Sequence, residues 1–206
     1  MSTQINGLFP GEIFPTSTLG GCIDVFENIF PNSEETILYI ENECSDSTSD
    51  LNWFRSTTIA QGMNQTARTS YDINLTECAK YLNNTCAQNI HNQIYLLLLA
   101  SVGPYVVKHN IFQVQHEDYN ILKYNSGQEY QTHADSDGLT KRTISAVIYL
   151  NDDYEGGEIE FINFGIKLKP KAGTLLLFPS NYAYAHRAHA ITSGTKYAIV
   201  TWIKEV

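Results

Sequence analysis

Beyond about residue 120 the chain falls into short apolar runs closed by Gly, Asp, Asn or Pro, and that spacing restricts the possible folds more than any other feature. The runs near 111–116, 119–124, 143–150, 158–162, 166–168, 173–178, 182–189 and 196–203 have the length and β-branched, aromatic composition of strands. Asp152-Asp153 with Gly156-Gly157 marks one turn, Pro170 to Gly173 another, and Ser193-Gly194 a tight hairpin. Many short strands of even spacing point to a sandwich or a rolled-up barrel.

Before residue 120, helix signals alternate with polar loops. Gly21 to Phe30 reads as a strand entering a loop. Asn32 and Glu35 suit the cap and third position of a helix running to about Cys44. Trp53 to Ala60 reads as a strand and Thr66 to Asp72 as a polar loop. Asn74 or Thr76 caps a helix, or a pair of helices, from about Glu77 to Leu99. Its closing run, Leu96 to Leu99, is apolar on every face and is expected under a sheet. The class is β-rich α+β in one domain, 1–206, with 1–110 as helical and strand support and 111–206 as the β core.

A chain of 206 residues with 43% apolar residues can fill a single core. The formal net charge of −9 argues against nucleic acid or an acidic membrane as partner, because phosphate binding draws on clustered Lys and Arg. The short run Lys167-Leu168-Lys169-Pro170-Lys171 reads as a solvated strand end and turn. Cys22, Cys44, Cys78 and Cys86 follow no metal-binding spacing and fit thiols of a reducing compartment. Met1 to Gly11 lacks the regions of a signal peptide. The apolar run Ile94 to Val107 is short for a membrane span and is interrupted at Gly103-Pro104. A soluble, cytoplasmic protein is expected.

One set of residues points to chemistry. His133 and Asp135 are two apart, so on an extended backbone both face one side and a single metal can take both. A second imidazole comes from His186 or His189; three residues apart, they face opposite ways on a regular strand, and only one can join. Two His and one carboxylate form the facial triad that holds non-haem Fe(II) and leaves positions open. Lys196 lies across the expected Ser193-Gly194 hairpin from His186. There it places an ammonium where the far end of a bound dicarboxylate would lie. Taken singly these residues have ordinary readings: a surface His-x-Asp pair, an acidic loop with Asp137, an edge lysine. The combination carries the metal site.

These residues sit within LKYNSGQEYQTHAD, RTISAVIYLNDDYEGGEIEF, LKPKAGTLLLFP and HRAHAITSGTKYAIVTWI, in that order. The stretch from Ile121 to Ile203 resembles the catalytic domain of prolyl 4-hydroxylases, among the 2-oxoglutarate- and Fe(II)-dependent dioxygenases. Ile23 to Asn28 and Arg68-Thr69-Ser70 are similar more loosely to the family's earlier segments, although Arg68 also reads as a solvated loop residue. The resemblance implies a double-stranded β-helix, a cupin-like jelly roll with iron at its mouth and helices outside. It implies His133, Asp135 and His186 as the iron ligands, because the family's distal His stands ten residues before the basic anchor. Lys196 would bind the distal carboxylate of 2-oxoglutarate, with Tyr124 assisting and Trp202 and Arg142 nearby. Fe(II), 2-oxoglutarate and O2 are the implied cofactors, with ascorbate as reductant. Ala190 stands where the family often has Pro. Tyr124 and Trp202 also suit core aromatics, Arg142 a surface ion pair, and Gly156-Gly157-Glu158 a structural turn.

The family suggests a peptide or protein substrate carrying proline. Tyr130, Tyr182 and Tyr184 offer aromatic surface for such a peptide, and the loops Ser136 to Lys141 and Thr66 to Asp72 are candidate lids. The alternatives are the same cofactors acting on another side chain or a free amino acid, and a non-catalytic jelly-roll binding module.

Overall fold

The structure is a computed structural model that describes residues 11–56, 67–82, 84–112, 114–136 and 140–206. The first part carries β1 (Ser17–Leu19), β2 (Ile23–Phe26), α1 (Ser33–Ser45), β3 (Phe54–Arg55), β4 (Tyr71–Asn74), α2 (Leu75–Tyr81) and α3 (Thr85–Lys108). The strands β5 (Val114–His116), β6 (Asn120–Tyr124), β7 (Tyr130–His133), β8 (Arg142–Tyr149), β9 (Glu155–Gly156) and β10 (Ile159–Phe161) follow. Then come β11 (Ile166–Leu168), β12 (Leu175–Pro179), β13 (His186–Ala188), β14 (Ile191–Ser193) and β15 (Lys196–Glu205).

The major sheet has the order β1-β2-β12-β8-β15-β6-β4-β3, with β5 added to β15, and it draws on both sides of residue 110. The minor sheet has the order β11-β10-β13-β7, and β14 pairs with β9. The two sheets enclose a common interior, as in a double-stranded β-helix, with the helices against the outer face of the major sheet.

Strand parity divides the side chains between these two spaces. In β12, Leu175 and Leu177 join the helix-side core, whereas Leu176 and Phe178 join the inter-sheet core. In β8, Ile144, Ala146 and Ile148 take the helix side, whereas Val147 and Tyr149 take the inter-sheet side. Both faces are covered, so these central strands read as continuous apolar runs without alternation. Each fully buried Leu or Ile contributes roughly 1.5–3 kcal/mol relative to exposure.

The expected helix pair forms, each member capped by an Asn side chain. Asn74 accepts from the Glu77 amide at 2.9 Å, and Asn84 from the Ala87 amide at 2.9 Å. α3 runs further than expected, through Gly103 and Pro104. Proline has no N–H for the carbonyl of Ala100, and that carbonyl instead accepts from the Ile13 amide at 2.9 Å. An external donor therefore repairs the break. Within Leu96 to Leu99 only Leu97 and Leu98 are buried; Leu96 and Leu99 face outward, because the helix rests on the sheet along one side. By length and composition α3 could cross a membrane, and 44% of its most apolar window is buried inside this molecule.

Other expectations change where tertiary pairing decides. The polar strands β7 and β14 carry no apolar alternation, and their partners create them. Ser193-Gly194 does not close a hairpin, because β14 pairs with β9 while β15 pairs with β6, β8 and β5. Tyr182–Tyr184 is a short 3-10 turn, and the strand begins only at His186. Thr66 to Asp72 is not a loop in its described part. Gln131 N donates to Ala67 O, Arg68 bridges to Tyr130, and Tyr71 and Asp72 belong to β4. The strand expected over Trp53 to Ala60 is limited to Phe54–Arg55 within the described residues; 57–66 lie outside them. Part of the candidate lid Ser136 to Lys141, residues 137–139, also lies outside them.

Candidate active site

β7 and β13 lie side by side in the minor sheet with His133 opposite His186, so pairing rather than sequence distance brings the two imidazoles together. Asp135 follows directly after β7. One ligand atom from each of His133, Asp135 and His186 lies within 4.8 Å of the others. His133 Nε2 is 3.5 Å from Asp135 Oδ1, and His186 Nε2 is 3.7 Å from Asp135 Oδ2. The far nitrogen of each ring has a backbone partner. His133 Nδ1 is 2.8 Å from Gln131 O, and His186 Nδ1 is 3.1 Å from Tyr184 O. A carbonyl can only accept, so each Nδ1 carries the proton and each Nε2 presents a lone pair to the centre. His189 points elsewhere, with its Nε2 2.7 Å from Glu160 Oε2 beside Arg187.

Burial lowers the His186 pKa to about 4, against the opposing pull of Asp135, so this imidazole is neutral at pH 7. Burial alone would raise the Asp135 carboxyl. The charges of His186 and His133 and hydrogen bonds from His133 and Ser145 outweigh it and hold the carboxyl well below the usual range. With both Nε2 atoms unprotonated, the Ser145 hydroxyl is the donor that remains on the Asp135 carboxylate.

The same pocket contains Lys196, 4% exposed, on the inward face of β15. Its register partner is Tyr124 on β6. Lys196 Nζ donates to Gly157 O at 2.7 Å and lies 5.0 Å from the Tyr149 ring centroid and 5.7 Å from that of Tyr124. Gly157 has φ 68°, and a Cβ there would lie 2.3 Å from Ile191 Cδ1, so only glycine brings this carbonyl so close. Burial lowers the Lys196 pKa to about 7, and Glu158 partly offsets it. Lys196 and His186 do not meet across a hairpin, as the sequence suggested; they belong to opposite sheets and converge on the space between them.

Residues 119–204 match the family model of the 2OG-Fe(II) oxygenase superfamily. The matched residues run from β6 into β15 and include His133, Asp135, His186 and Lys196. A PKHD-type hydroxylase of Psychrobacter sp. (strain PRwf-1) is 38% identical over 97 residues, covering 40% of this chain and 36% of that protein. The chain spans less than half the length of the curated relatives it matches. Among solved structures, a prolyl hydroxylase from Trichoplax adhaerens, in complex with a hypoxia inducible factor peptide fragment, superposes with a TM-score of 0.70 at 16% identity. That match covers 89% of this chain and 84% of the other. The viral collagen prolyl hydroxylase of Paramecium Bursaria Chlorella virus-1, in a 2OG complex, gives 0.61 at 22% identity, covering 91% and 98%. These two likenesses establish the shared double-stranded β-helix.

Around this pocket the remaining expected residues divide. Tyr124 and Trp202 line it. Arg142 stands beside the lining. It donates to Glu117 Oε2 from Nε at 3.0 Å and from Nη2 at 2.8 Å, and it stacks 3.6 Å from the Trp202 ring centroid. Its link to the site is a 3.4 Å contact from Nη1 to the Asp135 carbonyl. The three tyrosines suggested for a peptide surface separate as well. Tyr130 stacks on His133 with centroids 3.6 Å apart, Tyr184 donates to Gly20 O at 3.1 Å, and Tyr182 is 83% exposed.

Three polar lining residues were not assigned to the site from the sequence. Tyr149 faces Lys196 from β8. Ser145, two residues earlier and on the same face, donates to Asp135 Oδ2 at 2.6 Å. Arg68, read as a solvated loop residue, is 9% exposed, donates to Ser70 Oγ at 3.0 Å and lies 5.2 Å from the Tyr130 ring centroid. Position parity within β8 was the one available signal for the first two; Arg68 had only its place in the Arg68-Thr69-Ser70 segment.

Proposed function

We propose that this oxygenase hydroxylates a prolyl residue of a peptide or protein. In this reading His133, Asp135 and His186 hold Fe(II), and Lys196 anchors the far carboxylate of 2-oxoglutarate. The carrying observation is the convergence of three ligand atoms, two of them Nε2 lone pairs fixed by backbone carbonyls. Two neutral imidazoles and one ionised carboxylate are the donor set that suits Fe(II). With 2-oxoglutarate, the bound metal supplies activation of O2 and insertion of one oxygen atom into a C–H bond, with succinate and CO2 as co-products.

The chain's own contribution is placement and shielding. Lys196 is a buried cation, so a carboxylate beside it gains a charge-assisted bond in a site with little competing water. The Tyr124 and Tyr149 rings flank that ammonium. Leu122, Val147, Ile159, Ala198 and Val200 make the walls apolar and exclude water from the reacting end. Arg142 and Trp202 form a rigid pair at the edge, where a substrate chain would approach. Ascorbate is the proposed reductant. Prolyl chemistry is supported by the hydroxylases this chain resembles.

The test is incubation with Fe(II), 2-oxoglutarate, ascorbate and a library of proline-containing peptides, read by mass spectrometry. One oxygen atom gained on proline with equivalent succinate is expected. Oxidation located on another residue type would overturn the prolyl assignment, and absence of succinate under every condition would overturn the enzyme.

A further inference from the structure

Ser145 lies in the middle of β8 among apolar neighbours and is 1% exposed. Its Oγ is 2.6 Å from Asp135 Oδ2 and 2.8 Å from Ser180 Oγ, and Ser180 is also 1% exposed. A hydroxyl has a single proton, and an ionised carboxylate can only accept. Ser145 therefore donates to Asp135 and accepts from Ser180, and the direction of the chain is forced. Ser180 is itself fixed at both backbone groups. Its N–H donates to Thr143 O at 3.0 Å, and its carbonyl accepts from the Ser136 amide at 2.9 Å. Ser180 thus holds the strand that carries Ser145 and the segment that carries Asp135 in one arrangement.

We propose that Ser145, backed by Ser180, is a positioning residue that restricts Asp135 to one metal-facing oxygen, Oδ1. This rests on the reading that the triad holds a metal. A free carboxylate can offer both oxygens to a cation. Each oxygen faces one imidazole, Oδ1 at 3.5 Å from His133 Nε2 and Oδ2 at 3.7 Å from His186 Nε2, but Oδ2 also takes a short charge-assisted bond from Ser145. The count matters. Three single-atom ligands leave three positions of an octahedral ion, enough for a two-point keto acid and O2, whereas a two-oxygen carboxylate leaves two and removes the place for O2. The serine pair acts on coordination number, and Ser145 touches no reactant.

The experiment titrates Co(II) into the whole chain and follows both affinity and the visible absorption, which responds to coordination number. Wild type, Ser145→Ala, Ser145→Thr, Ser180→Ala and Asp135→Ala are compared, with thermal melts confirming folding. Ser145→Ala is expected to weaken Co(II) about 10- to 100-fold and to alter the spectrum. Ser145→Thr, which keeps the hydroxyl, restores both, and Ser180→Ala falls between. If Ser145→Ala matches wild type in affinity and spectrum while Asp135→Ala loses Co(II), the positioning role is wrong and the metal site stands. Wild type that binds no Co(II) removes the metal site itself. Should Ser145→Ala not fold, Ser180→Ala decides, and wild-type behaviour there overturns the proposal.

Discussion

The two faces of the major sheet are made by the same strands and do opposite things. On the helix side, Ile144, Ile148, Leu175, Leu177, Ile199 and Ile203 belong to one apolar cluster with α3, and the buried charge on that face, Asp24, is neutralised by Lys108 of α3 at 2.9 Å. On the inner side the same strands present Ser145, Tyr149, Lys196 and Trp202 to a pocket that also takes in His133, Asp135 and His186. Stability is concentrated on the first face. The second buries charged and titratable groups, each of which opposes folding unless a partner satisfies it. Site and scaffold are thus separated by the thickness of one strand, and substitutions one residue apart should have unrelated consequences.

The largest separation is expected for Asp135→Ala, with succinate formation down by on the order of a thousandfold or more and melting temperature little changed. A large loss of stability instead would show that the pocket face also carries the fold. Leu97→Ala, on the helix side, should cost about 2–5 kcal/mol in denaturant melts while leaving Co(II) affinity of the folded protein unchanged. A fall in affinity would show that the two faces are coupled.

Lys196→Met should move both readouts in opposite directions. 2-Oxoglutarate binding should be lost, and stability should rise by about 1–4 kcal/mol, because a buried cation is removed whose desolvation its Gly157 carbonyl partner only partly offsets. The pH dependence has a definite sign. The folded pKa of Lys196 is about 7, below its ordinary 10.5. Between these values the unfolded chain holds a proton that the folded chain has released, so stability from this group rises with pH across that window. Lys196→Met should flatten that slope, as checked by melts at pH 7 and pH 9. Calorimetry should show the converse for co-substrate: affinity falls as pH rises past about 7, because binding requires the ammonium. The smallest effect is expected for His189→Gln, within about twofold in turnover, since His189 meets Glu160 outside the pocket.

How much of this is legible in the sequence follows from what each residue needs. The central strands β6, β8, β12 and β15 are readable because buried strands are dense in apolar residues. The grouping of His133, Asp135, His186 and Lys196 in one pocket is readable through the family resemblance, which selects His186 over His189 where strand parity alone leaves the two open. β7 and β14 are not, since Tyr130–His133 and Ile191–Ser193 become strands only through partners distant in sequence. Ser145 has the same difficulty: a serine among apolar neighbours looks like any small strand residue until Asp135, ten positions earlier, is folded onto it. Pro104 misleads in the other direction, because the donor that repairs the helix, Ile13, stands far away in the chain. What is hidden, in each case, is a partner.

The most direct measurement is a diffraction experiment on crystals grown without O2 in Fe(II) and 2-oxoglutarate, with anomalous data at the iron edge. One iron per chain is expected, about 2 Å from His133 Nε2, Asp135 Oδ1 and His186 Nε2. The keto acid's far carboxylate should lie on Lys196 Nζ. Iron at another cluster, such as His189 with Glu160, or a keto acid turned away from Lys196, would contradict the assignment of the inner face as the reacting one.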